Sequence, residues 1–318
     1  MFYLALELLI AIAALVLGLT LMFFSGGKAV EHLISLASSL GVSMLMIGLV
    51  LASIGTDLPE IANDIISSAL GHGDITVGDS FGSILTQISL VVGLLPFLAG
   101  TYEIHRRRCV IIGGCEVVAL TLAVSIAGKG YISRISGLFF VVTWLISMLI
   151  IWKVTENGGK KRTIAQAEHE RPIYHLAAAI LGFIGVAIGA YIMIRSVIVL
   201  SEVFQISEYI ISFFLVAIGT SLPELVVEIA ALRKKQYALA IGDAVGSCIV
   251  DATLSVGIGP LIFPITVSGE HVVITGFYAI LVSIIVISAL NIRQKHDKKS
   301  GAFFIILYLL SYVTLYLM

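Results

Sequence analysis

Gly55-Thr56-Asp57-Leu58-Pro59-Glu60 is answered 164 residues later by Gly219-Thr220-Ser221-Leu222-Pro223-Glu224. Each copy is followed by a second shared element. These are Gly78-Asp79-Ser80-Phe81-Gly82-Ser83 and Gly242-Asp243-Ala244-Val245-Gly246-Ser247, and the two blocks align without a gap. Both sit in apolar surroundings. An acid beside a proline in a hydrocarbon-spanning helix is costly, so a chain that places one there twice, at matching positions, has a use for it.

Working outward, the 318 residues are 59% hydrophobic and 12% charged, with a mean hydropathy of +1.08. Soluble domains carry about 25% charged residues. Apolar runs of about 20 residues suit helices crossing about 30 Å of hydrocarbon. Ten spans are expected, near 2–25, 43–70, 74–98, 109–128, 132–153, 173–196, 207–232, 236–262, 270–292 and 301–318. The first lacks a basic leader and reads as a retained helix. Three cysteines, Cys109, Cys115 and Cys248, make neither a disulfide framework nor a paired metal-ligand spacing.

Charge in the connections tests this division. Of the 19 Lys and Arg residues, all but Lys129, Arg134 and Arg195 fall in alternate connections. The rich set holds Lys28, Arg106 to Arg108, the 153–171 loop, Arg233 to Lys235, and Arg293 to Lys299. By the positive-inside rule that set is cytoplasmic and both termini lie outside. The expected organisation is an all-α polytopic membrane protein of two five-helix repeats. The first covers 1–153 (motif 50–93), a cytoplasmic linker 154–172, and the second 173–318 (motif 214–257). The motif helices, second and seventh, are five spans apart and so cross in opposite senses. An inverted repeat suits alternating access.

Pro59 and Pro223 remove the helical partners of the Gly55 and Gly219 carbonyls, so helices two and seven are expected to be broken. Asp57, Glu60 and Asp64 share one helical face, as do Ser221, Glu224 and Glu228. The mid-span acids have no Lys or Arg at their depth, so protons or bound cations must balance them. Glu60, Glu224 and Asp57 are therefore candidate cation ligands, while Asp64 and Glu228, nearer the helix ends, are expected to line a hydrated cavity. Asp79, Ser83 and Gln87 form a second oxygen stripe, repeated by Asp243, Ser247 and Asp251. Gly82 and Gly246 would let these helices approach the broken ones closely. An all-oxygen set, with the histidines in loops or near helix ends, favours Ca2+, Na+ or Mg2+ over zinc or copper. A flexible cage favours Ca2+ over Mg2+.

These two linked motif copies resemble the paired alpha-repeats of the cation/calcium antiporter superfamily, with closest similarity to the prokaryotic sodium/calcium exchangers. The resemblance implies four ion sites at mid-membrane. It makes Glu60 and Glu224 the central Ca2+ ligands, joined by Thr56, Thr220, Ser221, Ser83, Ser247 and Asp251, with main-chain carbonyls at Ser53 and Ala217 ligating Na+. It also implies that the first and sixth helices slide across the core. Three departures stand out: Asp57 in place of Ser, Gln87 in place of Asn, and Asp79 and Asp243 in place of Asn. The extra carboxyl of Asp57 opens proton coupling or K+ co-transport as alternatives to Na+. A passive cation channel is the reading from a different class, separated by saturable counter-flow. An intramembrane aspartyl protease lacks its Tyr-Asp element here. The expectation is thus a cell-membrane antiporter of Ca2+ and Na+ with the lipid bilayer as its partner. No cofactor, nucleic acid, enzymatic activity or obligate protein partner is expected.

Overall fold

The computed structural model describes residues 2–39, 53–104, 106–156, 172–233 and 237–313. The chain opens with α1 (Phe2–Ser39), which continues well past the expected end at residue 25. Lys28, expected in a loop, is inside this helix and pairs with Glu31 one turn on, at 2.7 Å. At 1.5 Å per residue α1 is about 57 Å long, more than a bilayer's thickness of about 40–45 Å. The sixth expected span is also longer than read, as α8 (Pro172–Phe204).

Between them lie α2 (Ser53–Thr56), α3 (Leu58–Leu70) and α4 (Gly73–Leu85), which widens into a π-turn at Thr86–Val91 and resumes as α5 (Val92–Leu98). Strand β1 (Tyr102–Glu103) leads to α6 (Arg106–Ala127), and β2 (Tyr131–Ile132) to α7 (Arg134–Glu156). After α8 come α9 (Glu208–Ile211), a π-turn at Ser212–Val216, α10 (Ala217–Thr220) and α11 (Leu222–Arg233). Then α12 (Tyr237–Val250) passes through a π-turn at Asp251–Ser255 into α13 (Val256–Ile262). The chain closes with β3 (Ile265–Thr266), α14 (Gly269–Arg293), β4 (Lys295–His296) and α15 (Lys298–Leu310). Elements repeat at the spacing of the motif: Ser53–Thr56 with Ala217–Thr220, and Val92–Leu98 with Val256–Ile262.

Among the described residues, eight helical segments are long and apolar enough to cross a bilayer. The other two expected spans, 43–70 and 301–318, run into residues 40–52 and 314–318, outside the described residues. The 154–172 linker lies almost wholly outside them too. Where α1, α7 and α8 face outward they carry large apolar side chains such as Leu9, Ile146 and Leu181, a surface suited to lipid.

Two short antiparallel ladders tie the halves together. β1 pairs with β4, Tyr102 opposite His296, and β2 pairs with β3, Ile132 opposite Ile265. Helix α6 separates β1 from β2, so the two ladders sit at opposite ends of that helix. Packing divides the apolar interior into two clusters. The larger runs through α4, α6, α12 and α14 around Phe81, Leu120, Ile249 and Val282. The smaller is built on α1 and α8 around Met22, Val186, Ala190 and Met193. Along the α1–α8 seam a methyl added at Gly18 would lie 2.8 Å from the Gly189 carbonyl oxygen, so only glycine allows the backbones this close.

Candidate site at the helix breaks

Each motif helix is interrupted by a single residue rather than by an unwound stretch. Asp57 (φ −77°, ψ 7°) divides α2 from α3, and Ser221 (φ −80°, ψ 5°) divides α10 from α11. Pro59 and Pro223 then stand in the first turn of α3 and α11, where a missing N–H costs least. Ile61 N–H donates to the Asp57 carbonyl at 3.0 Å and Leu225 N–H to the Ser221 carbonyl at 3.4 Å, restarting each helix. Leu19, Met22 and Phe23 of α1 lie over Pro59, Gly219, Thr220 and Pro223, so the long first helix covers both breaks.

The candidate residues meet inside the protein. Asp57, Glu60, Gln87, Thr220, Ser221, Glu224, Ser83, Ser247 and Asp251 are all buried, each 1% exposed or less. Glu60 lies close enough to Glu224, Asp251 and Asp57 for their charges to act on one another, and Glu224 is similarly close to Asp57, Asp243 and Asp251. Thr56 and Ala217 are buried at the same two breaks, and Ser53 opens α2. Gln87 falls within one π-turn and Asp251 opens another. Such turns swing a side chain off the regular helical stripe and recur at functional sites.

Several oxygens here have no protein hydrogen-bond partner: Asp57 Oδ2, Glu60 Oε2, Gln87 Oε1, Ser221 Oγ, both Glu224 oxygens, Ser247 Oγ and Asp251 Oδ1. Burying a carboxylate oxygen unpaired costs several kcal/mol, so a hard cation or proton is the natural partner. Among the described residues the ion pairs are Lys28–Glu31, His72–Glu208 and Arg293–Asp297, all away from this cluster. Also among the described residues, no three His, Cys, Asp or Glu side chains converge at metal-ligating distance.

Asp79 and Asp64 behave differently from the rest. The Asp79 carboxylate accepts from Asn63 Nδ2 at 2.6 Å and from Thr220 Oγ1 at 3.1 Å, and Ser83 Oγ lies 3.4 Å from that same Thr220 hydroxyl. Asp64 accepts from Ser80 Oγ at 2.6 Å. Both acids thus brace α3 against α4, and Asp79 also ties α4 to α10. Gly82 passes directly against the Phe213 carbonyl, as its spacing predicts. At Gly246 no described residue lies within 4 Å of an added methyl.

Reading the motif alone missed Asn63, which orients Asp79, and it missed Glu116. Glu116 is fully buried near the middle of α6, accepts from Ser283 Oγ at 2.7 Å through Oε1, and leaves Oε2 without a partner. The signal was present: an acid at mid-span is a functional candidate on the same ground as Glu60.

The fold and sequence have known counterparts. A family model described as sodium/calcium exchanger protein matches residues 10–153 and 174–317. The sodium/calcium exchanger MaX1 of Methanosarcina acetivorans is 24% identical over 345 aligned positions, covering 95% of this chain and 97% of its own. A structure of the sodium-calcium exchanger NCX_Mj soaked with Na+ and Ca2+ is 26% identical, covers 96% of this chain and 98% of its own, and superposes with a TM-score of 0.64. The H+/Ca2+ exchanger CAX, at 15% identity, covers 95% of this chain and 82% of its own, with a TM-score of 0.75. That last likeness concerns the fold alone. Twin motifs, buried acids at paired helix breaks and the family match together define the molecule: it is a membrane protein of the sodium/calcium exchanger family.

Proposed function

We propose that this chain is a secondary active antiporter that exchanges Ca2+ for Na+ by alternating access, with ten membrane helices arranged as two inverted five-helix repeats. The observation that carries the reading is the set of buried, unpartnered oxygens contributed by both motif copies, with no described Lys or Arg beside them. Ca2+ binds between Glu60 and Glu224, assisted by Asp57 and Asp251 and by the oxygens of Thr56, Thr220, Ser221, Ser83, Ser247 and Gln87. Na+ uses the same carboxylates together with the Ser53 and Ala217 carbonyls, so the two cargoes exclude each other. The family membership and the name of the NCX_Mj relative support this choice of ions.

Inversion is supported by the ladders at opposite ends of α6. The β1–β4 ladder lies beside Arg106, the first residue of α6, and Arg293, the last of α14, and the β2–β3 ladder joins connections poor in Lys and Arg. By the positive-inside rule the first end is cytoplasmic and both termini are outside. Sliding of α1 and α8 over the breaks supplies the inward–outward switch, consistent with the separate cluster they form. A loaded centre lets the pair cross, and an empty one, with its like charges exposed to each other, resists closure.

One observation favours a second counter-ion. Asp57 adds a buried carboxylate beside Glu224, so a proton can replace Na+ at this centre. The test is radiocalcium uptake into proteoliposomes with Na+, K+ and pH gradients imposed one at a time. Uptake driven by an outward Na+ gradient supports the leading reading, and uptake driven only by pH selects the second. Flux that needs no counter-ion and shows no counter-flow identifies a channel and overturns both.

A further inference from the structure

The two halves do not treat their acids alike toward the helix ends. Asn63, Ser80, Ser67 and Thr76 of the first half correspond to Val227, Ala244, Ala231 and Ala240 of the second. Glu228 and Asp243 keep the acids of Asp64 and Asp79, but Val227 and Ala244 stand where Asn63 and Ser80 donate; Thr56, the twin of Thr220, is kept. Both Glu228 oxygens and Asp243 Oδ2 lack a hydrogen-bond partner, although Glu228 is 0% and Asp243 5% exposed. Their charges lie close enough to interact, with α11 packed along α12.

Position offsets this pair from the centre, with Asp243 still within electrostatic reach of Glu224. Glu228 is one turn beyond Glu224 and Asp243 one turn before Ser247, so each is offset by about 6 Å along its helix. The offset runs toward Arg233 and Tyr237. Tyr102 of β1 marks the same end: burial, and then the nearby Glu228 carboxylate, push its phenol above the ordinary range.

We propose that Glu228 and Asp243 form a second cation station at the Arg233 end of α11, which holds a divalent cation such as Ca2+ apart from the Glu60–Glu224 centre. Two carboxylates match one divalent charge, whereas a single Na+ leaves a buried negative charge uncompensated. The binding stands on these residues alone. Only its place on a transport route, as the stop before the centre, rests on the antiporter reading. In the first half each corresponding acid holds at least one hydrogen bond, Asp79 from Asn63 and Thr220 and Asp64 from Ser80, and only Asp64 Oδ1 is left over.

The test is equilibrium radiocalcium binding to the purified full chain. In E60Q/E224Q a saturable component should remain, and adding E228Q/D243N should weaken it by at least about tenfold. V227N/A244S in the E60Q/E224Q background installs the first half's partners. It should weaken the remaining component several-fold while raising the melting temperature, an outcome that misfolding cannot produce. Equal binding with and without Glu228 and Asp243 overturns the station, as does proton uptake by the pair with no effect on radiocalcium. Failure of wild-type exchange in proteoliposomes would instead strike the antiporter reading and leave the binding result standing.

Discussion

The α3–α4 pair and the α11–α12 pair carry the same acidic motif on the same scaffold, yet they are held together by different forces. In the first, Asn63–Asp79, Ser80–Asp64 and Ser67–Thr76 form a continuous buried polar lattice. In the second, Ala231, Ala240 and Ala244 pack without hydrogen bonds, and Glu228 and Asp243 are left with unpartnered oxygens. The first lattice bonds both acids at least once, leaving Asn63 Oδ1 and Asp64 Oδ1 unpartnered, whereas in the second both Glu228 oxygens are unpartnered, and unpaired buried charge is unstable until something neutralises it. Duplication therefore yielded one wall with more internal hydrogen bonds and one with fewer, on either side of the proposed centre.

The proposed centre should give the largest effect, because both motif copies supply a glutamate to it. Glu60→Gln or Glu224→Gln should each reduce Na+-driven radiocalcium uptake by about 100-fold or more, since losing one buried charge partner costs about 3–5 kcal/mol. If one of the two variants keeps half of its uptake, the halves do not share a single site.

Next comes the bracing. Asn63→Ala strands Asp79 Oδ2 and should destabilise the purified protein by about 1–3 kcal/mol. Val227→Ala, at the twin position, should cost less than about 1.5 kcal/mol, as a small trim of a half-buried apolar residue. Thermal melts in detergent rank the pair, and equal losses would erase the proposed contrast. A smaller loss, about 1 kcal/mol, is expected for S67A/T76A, which rewrites the first wall in the alanines of the second.

The smallest effect concerns the ladders. His296 in β4 corresponds in the repeat to Ile132 in β2, and both are fully buried. His296 stands in its neutral form, with Nε2 2.9 Å from the Val92 carbonyl and Nδ1 2.8 Å from Ser300 Oγ, and burial holds its pKa below the ordinary 6.5. A depressed folded-state pKa means that the unfolded chain takes the proton first. This contribution is then complete above the unfolded value and is lost as pH falls through and below 6.5. Melting temperature should drop modestly between pH 7 and 5.5, and His296→Ile should flatten that part of the profile.

Much of the architecture could be read from the chain. Pro59 and Pro223 marked the breaks because a missing N–H acts locally. The acids at 57, 60, 224 and 251 stood out as candidates because charge at mid-span has no cheap alternative, and the fold brings them near one another. The π-turns at Thr86–Val91 and Asp251–Ser255 were not legible, since an extra residue per turn depends on neighbouring helices rather than on composition. Nor was the extension of α1 to Ser39: hydropathy ends with the lipid, whereas the helix continues on its pairing with α8.

Hydropathy, charge placement and the repeated motif were enough to assign a membrane protein with two matching acidic helices, because each is a property of consecutive residues. Which acids find partners is another matter. Asp79 is bonded by Asn63 and Thr220, whereas Glu228 has no bonding partner; the chain shows Val227 and Ala244 in place of Asn63 and Ser80, but not which acids those side chains reach. That outcome depends on side chains 16 and 141 positions apart being brought within 3.1 Å, and hydrogen bonding is a short-range force that only the packed helices can satisfy.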